Sequence, residues 1–432
     1  MATAAGDFCM FLVLLLTCVH VSQAISRKVH TYSWPDCQKY SESCKEAQQQ
    51  GYNVVYSKAS LKSNDNLLYA FSTIGLPTVV MARTTSEDMN MEFDWDKLVN
   101  KSSLMDAISI TGKGTVEYKF GVAFTKLIEY DDRNDTADLV VCEKNKGNFT
   151  IRSFEEFTWQ PVEKNIKKDT FVFNSSDTFF PPSKSDNGSV SFKFFVRGSD
   201  GRSPDLPGLK YTGNETQIEF EIDKYTPSYN NSRFALEVAI VSQSTNKDMS
   251  VRVTETIDDE YAPGVFKIAD LLSDPARKTE AGFVQWKPVA YFDKSRGRKS
   301  ATEVQIYTLE NLDEGEQLNK SALYAFFGED LYDGSKVIKR ISNISFGLPK
   351  DGFYVKNNYT EWTYAVGYGE PPHDAISMTV IIIISAGLGL PVIIIIFGAL
   401  FTIVRKCRRS SEQQYEPING SGSINRNNPQ VN

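Results

Sequence analysis

The stretch TIDDEYAPGVF, residues 256–266, sets three carboxylates side by side: Asp258, Asp259 and Glu260. Acids grouped this way can do three kinds of work. Two carboxyls roughly 5–10 Å apart can cleave a glycoside, one as general acid and the other as nucleophile or base. In an extended strand Asp258 and Glu260 would share a face about 6.6 Å apart, a spacing that any D-x-E in a strand meets. Alternating oxygen donors around a glycine can hold calcium, but Gly264 follows these acids too late for such a loop. The third kind of work is scaffold. Pro263–Gly264 suits a type II turn, and Asp259 and Glu260 would cap that turn and a helix after it. The residues favour scaffold over partner contact, and either over cation binding or catalysis.

A bond-breaking centre would need groups that the chain withholds. Its three histidines are His20, His30 and His373, so the long body between the last two has none. A Ser-His-Asp or Cys-His machine has no base there, and zinc sites of His and Cys type lack ligands. There is no P-loop, no G-x-G-x-x-G after a strand and no G-x-S-x-G. No cofactor and no metal is expected.

The elements around the acids read as strands. Period-two alternation runs through LLYAFSTIG (67–75), TVVMART (78–84), GTVEYKFGVAFTKLIEY (114–130), SVSFKFFVRG (189–198) and TQIEFEIDKY (216–225). It continues through FALEVAIVSQ (234–243), MSVRVTETI (249–257), GFVQWKPVAYF (282–292), EVQIYTL (303–309) and SALYAFFG (321–328). Val, Ile, Phe, Tyr and Thr dominate these runs, and Gly, Pro, Asn and Asp separate them. The expected fold is all-β and antiparallel, sandwich or barrel-like, as two packed β domains over residues 25–180 and 181–374. Two short helices are predicted, at 93–100 and at 265–274. In the second, Val265, Ile268, Leu271 and Leu272 fall on one helical face.

Both ends carry membrane-related signals. The apolar run FCMFLVLLLTCVH, followed by small residues at Ser22 and Ala24, reads as a signal peptide over 1–24, cut after Ala24. Residues 375–404 hold no charge, long enough for one transmembrane helix. Arg405, Lys406, Arg408 and Arg409 follow at once, which puts the tail 405–432 in the cytosol and the body in the lumen. Pro391 predicts a kink. Ser385 and Gly389 form a small-xxx-small pair that would let a second helix approach.

Formal net charge is −7; the tail nets +3 and the leader −1, which leaves −9 on the lumenal body. That body has no basic face for nucleic acid. It keeps Cys37, Cys44 and Cys142, so three pairings are open, with Cys37–Cys44 the simplest. Cys407, beside the membrane, is either palmitoylated or a plain thiol. Ten lumenal N-x-S/T sequons begin at Asn100, Asn134, Asn148, Asn174, Asn187, Asn214, Asn230, Asn319, Asn343 and Asn358. That is a large excess over the roughly three that chance would give, and it marks a dense sugar coat on the outer surface.

IDDEYAPGVF and GFVQWKPVAYFDKSRGRKSA (282–301) closely resemble the signature region of the glycosylated lysosomal membrane protein family. FGVAFTKLIEYDD, NGSVSFKFF, FALEVA and YAFFGED resemble it too. Asp258, Asp259, Glu260, Tyr261 and Pro263 are then signature scaffold. The resemblance implies an accessory subunit of a lysosomal dipeptide transporter of the major facilitator superfamily. In that family the transporter has no sugar coat and its partner shields it from proteases. The tail agrees on destination: Tyr415 to Ile418, YEPI, fits the Y-x-x-Φ pattern read by clathrin adaptors. It departs from the family in running fourteen residues beyond that motif. A lumenal carboxylate hydrolase and a lumenal receptor are the alternative readings.

Overall fold

The computed structural model describes residues 25–100, 104–163, 166, 168–175, 188–244, 248–256, 265–312, 318–373 and 378–412. It divides into one compact unit ending at Asp374 and a second beginning at Ala375.

The first unit opens with β1 (Lys28–Ser33), α1 (Ser41–Gln49), β2 (Val54–Ser60), β3 (Asn66–Ser72) and β4 (Thr78–Thr84). Then come β5 (Asn90–Phe93), α2 (Trp95–Val99), β6 (Ile108–Thr111), the long β7 (Val116–Asp131), α3 (Leu139–Lys144), β8 (Phe149–Ser153) and β9 (Thr170–Asn174). Past residue 180 follow β10 (Ser189–Val196), β11 (Gly201–Arg202), β12 (Lys210–Tyr211), β13 (Glu215–Asp223), β14 (Ser232–Gln243), β15 (Ser250–Glu255) and β16 (Lys267–Leu272). The unit closes with β17 (Gly282–Tyr291), β18 (Ala301–Ile306), β19 (Glu310–Asn311), α4 (Ala322–Phe327), β20 (Val337–Phe346) and β21 (Tyr359–Tyr368).

The strands pair antiparallel in two layers. One layer runs β1–β2–β3–β4–β7–β14–β20, with β8 beside the far half of β7. The other runs β9–β10–β13–β21–β17–β16–β15. Strand β18 joins them, pairing with β17 through Ala301–Glu303 and with β20 through Val304–Ile306. Aromatic rings fill the space between the layers: Phe71–Phe194 at 5.0 Å, Phe124–Phe192 at 4.9 Å and Phe220–Phe346 at 6.0 Å between centroids. Each such ring contributes on the order of 1.5–3 kcal/mol by leaving water, so the core is ample without a disulfide framework. The all-β antiparallel sandwich expected from the alternation is what forms. The expected regions 25–180 and 181–374 share this one set of sheets. β7 pairs with β14 and β9 with β10, across residue 180.

Two local expectations are overturned. The helix expected at 265–274 is strand β16, held between β15 and β17. Its apolar residues look helical in spacing because both faces are covered. Ile268 packs with Leu209 and Ala365 on the outer side, while Ala269 and Leu271 belong to the main core. A strand buried on both faces loses its alternation. Conversely SALYAFFG, expected as a strand, forms α4. The Ser321 hydroxyl accepts from Leu323 N at 3.2 Å, and Gly328 ends the helix at φ +56°. The helix packs onto β7 where Gly121 has no side chain; a Cβ there would stand 2.4 Å from Leu323 Cδ2. The helix expected at 93–100 does form, as α2, with Asp94 Oδ1 accepting from Lys97 N at 3.2 Å.

Pro288 sits inside β17 at a register shift between Trp286 and Ala290. A residue with no N–H is tolerated there because the bulge needs no ladder bond from it.

Candidate functional site

Residues 257–264, with the signature positions Asp258, Asp259, Glu260, Tyr261 and Pro263, lie outside the described residues. Their flanks are described and show the setting. Thr254 pairs with Ile268 and Glu255 with Lys267, and Thr256 N donates to Phe266 O at 2.6 Å. The strands on either side of residues 257–264 thus pair with each other, and the element that follows is strand β16 and not the expected helix.

The carboxylates that the described fold does gather are different ones. Alternate residues of β13 send Gln217, Glu219 and Glu221 to the outer face, where Glu221 is in register with Glu361 on β21. The loop after β17, which carries the latter part of the second signature stretch, brings Arg296 over them in the left-handed conformation, φ +48°. Arg296 Nε donates to Glu361 Oε2 at 2.8 Å, and its Nη1 donates to Glu219 Oε1 at 3.1 Å and to the Leu206 carbonyl at 3.2 Å. The Tyr359 hydroxyl lies 2.9 Å from Glu221 Oε2 and 2.8 Å from Glu361 Oε2. Lys193 stands 3.3 Å from Glu219. The Glu219 and Glu361 side chains are only 5% and 2% exposed. Burial pushes the Glu361 carboxyl up to about 7, against the pull of Arg296 and Tyr359. Burial likewise holds Glu215, at the head of β13, well above the usual carboxylate range.

The sequence reading missed this cluster because TQIEFEID alternates as a half-exposed strand would. The available signal was three polar residues on one face, two of them acids, together with an arginine in the signature stretch. Chemically, an acid titrating near 7 beside a second carboxylate has the acid–base disposition of a glycosidase pair. Here one guanidinium binds both carboxylates and both are covered. His30 is exposed on β1, and His373 lies beside Arg252, with Nε2 at 3.3 Å from Nη2, after β21. Neither is among the residues that contact these glutamates. Among the described residues no group of three or more His, Cys, Asp or Glu side chains is placed to hold a metal.

Nine of the ten sequon asparagines are described, and none of these nine is buried. Asn134, Asn148, Asn230 and Asn358 are exposed and gather at one end of the sandwich. There Asp131 N donates to Asn148 O, Asp132 N to Asn231 O, and Lys224 N to Asn358 O. Asn100 is exposed after α2; Asn174, Asn319 and Asn343 are half-buried on β9, ahead of α4 and on β20. At the other end, where β21 finishes, only Asn214 is found among the nine. It is half-buried, and its Oδ1 accepts from Arg27 Nε at 2.8 Å. Asn187 lies outside the described residues. Asn→Gln at each of the four clustered positions is expected to raise electrophoretic mobility by one glycan-sized step, a difference that disappears when parent and variant are both treated with glycosidase.

A family model described as glycosylated lysosomal membrane protein matches residues 53–409. Glycosylated lysosomal membrane proteins A and B of Xenopus laevis are 35% and 33% identical to the chain, over 373 and 370 residues, covering 85% of it and 89% of each relative. The glycosylated lysosomal membrane protein of Danio rerio is 32% identical over 373 residues, 85% of this chain and 88% of its own. The chain belongs to the glycosylated lysosomal membrane protein family.

A member of this family is a protein of the lysosomal membrane with a lumenal body, and the C-terminal element fits it. The helix α5 spans Met378–Glu412, with Pro391 inside it, and an 18-residue window within its Ile383–Arg409 portion has a mean hydropathy of 2.6. It runs past the expected span into the basic residues Arg405–Arg409. Ser385 is exposed on it and Gly389 half-exposed. Tyr415 and Ile418, the expected sorting residues, lie outside the described residues. Within the first unit, Cys37 and Cys44 are disulfide-bonded with Cα atoms 5.7 Å apart, and Cys142 is a buried thiol against the Asp131 carbonyl.

Proposed function

We propose that this chain is the non-catalytic, glycosylated accessory subunit of a lysosomal transporter of the major facilitator superfamily, keeping that partner intact among lysosomal proteases and supporting its residence there. The observation that carries this reading is the sequon distribution. Every described sequon asparagine is exposed or half-buried, and four crowd one end of the sandwich, where their sugars form a hydrated barrier. The glutamates that could suggest hydrolysis are bound by Arg296 beneath a loop and serve as structural groups. The small-residue pair Ser385 and Gly389 gives the helix a face for a transporter helix. The tail residues Tyr415 and Ile418 supply the clathrin-adaptor address.

Deleting the chain is expected to shorten the transporter's half-life several-fold in lysosomes with active proteases, and protease inhibitors should restore it. Replacing the ten sequon asparagines together, in protein that still reaches the lysosome, should reproduce the deletion. An unchanged transporter half-life by pulse-chase would sink the proposal. Acid-pH glycoside turnover by the purified chain, lost in Glu361→Gln, would favour the hydrolase instead.

A further inference from the structure

Residues 25–27 are tied to the segment that follows β10. Ser26 bridges Ser199 in antiparallel fashion, and Arg27 N donates to the Gly198 carbonyl at 2.6 Å. Ile25 packs on bare backbone: its Cγ2 stands 3.0 Å from where a Cβ on Gly213 would be. The Arg27 guanidinium, 1% exposed, reaches Asp65 Oδ2 at 2.9 Å as well as Asn214 Oδ1. The decisive contact is at the first residue. Ile25 N donates to Asp200 Oδ2 at 3.1 Å, while Asp200 Oδ1 accepts from Gly213 N at 3.1 Å. A carboxylate is thus held in place with one oxygen aimed at the nitrogen of residue 25.

That nitrogen lies on the bond that the Ser22-x-Ala24 pattern marks for cleavage. We infer that processing between Ala24 and Ile25 converts this nitrogen into an α-ammonium that forms an ion pair with Asp200, so that the mature N-terminus locks the segment 197–213 of the ectodomain. Hydrolysis adds one water across the amide. The hydroxyl goes to the Ala24 carbonyl carbon, which departs with the leader as a carboxylate, and the Ile25 nitrogen becomes an amine that takes up a proton. Before cleavage Asp200 accepts a neutral N–H; afterwards the same contact is charge-assisted and the nitrogen carries two further N–H donors. The segment fixed in this way is not incidental. Residues 197–213 cover the polar row of β13: Arg197 Nη2 donates to Gln217 Oε1 at 2.6 Å, and Gln217 is 1% exposed.

The test uses the full chain, expressed in cells and purified in detergent. Three variants are compared with the parent: one glycine inserted between Ala24 and Ile25, Asp200→Asn, and both together. N-terminal sequencing of the parent should read Ile25 first. Each single change should lower the thermal midpoint by about 1–3 °C, the size of one partly exposed ion pair in a domain of this length. The double variant should fall no further than the larger single, because both changes remove one interaction. A different first residue in the parent, no fall in the glycine insertion, or additive falls in the double variant overturns the inference. Asp200→Asn keeps an acceptor for Gly213 N, and the glycine insertion leaves Asp200 itself untouched, so the two variants probe the contact from separate sides.

Discussion

Arg233→Ala is expected to cost about 3–5 kcal/mol of folding stability, the range for removing one partner of a buried ion network and stranding the others. Arg233 opens β14 with its side chain 4% exposed. Its Nε lies 2.9 Å from Asp132 Oδ2, and its Nη2 lies 2.7 Å from Asp351 Oδ1, contacts Asp135 and donates to the Leu348 carbonyl at 3.2 Å. The guanidinium also sits 5.5 Å from the Phe353 ring centroid. The backbone has been shaped to it. Gly347 adopts φ +140°, and a Cβ there would stand 2.1 Å from Arg233 Nη1. One residue therefore ties the loop after β7 to the loop after β20, the two loops that carry Asn134 and Asn358. Arg233→Lys should recover only part of the loss, since a point charge cannot serve three carboxylates with a planar fork. Urea unfolding of the purified protein measures this. In cells the alanine variant should keep immature glycans and fail to leave the endoplasmic reticulum. A loss below about 1 kcal/mol would mean the network is solvated and contributes little.

Much of this architecture was legible in the residues, and what was not shares a physical cause. Strands with one covered face, such as β10 with Val190, Phe192, Phe194 and Val196 inward, declare themselves by alternation. β16 does not, because the polar half of its pattern is missing once Leu209 covers its outer side. SALYAFFG carries strand-like residues, and only a local signal, serine at the head and glycine at the tail, separates a capped turn of helix from a strand. The site shows the same limit. The sequons are short and local, so their excess was countable directly. The Glu219–Arg296–Glu361 cluster joins three elements far apart in sequence, and no spacing rule brings them together. The acids at 258–260 attracted attention because they are adjacent in the chain, whereas the acids held in the fold are adjacent only across strands.

Glu361 should make the protein more stable in acid than at neutral pH, and Glu361→Gln should remove that difference. The folded carboxyl is pushed up to about 7 from an ordinary 4.5, first by burial and then by Glu219, against Arg296 and Tyr359. Between those two values the folded chain keeps a proton that the unfolded chain has released. Stability therefore falls as pH rises through that window, by about 3 kcal/mol in all if Glu361 acted alone. The contribution is fully present below 4.5 and gone above 7. Glu215, raised in the same direction by burial, adds to the slope. Opposing groups act elsewhere. Asp248 and Glu370 are held low by hydrogen bonds to Arg340 and Lys278, so their contributions are present above the ordinary carboxylate range and are lost only in stronger acid. The raised set favours mild acid over neutrality and the lowered set opposes strong acid, a combination that suits a protein resident in the lysosome. Glutamine at 361 matches the shape of the protonated acid, so midpoints of parent and variant should nearly coincide at the acid end of the window. The variant should then gain on the parent as pH approaches neutrality. Parallel pH profiles for the two proteins would show that Glu361 is ionised in the fold throughout, and that Arg296 outweighs burial.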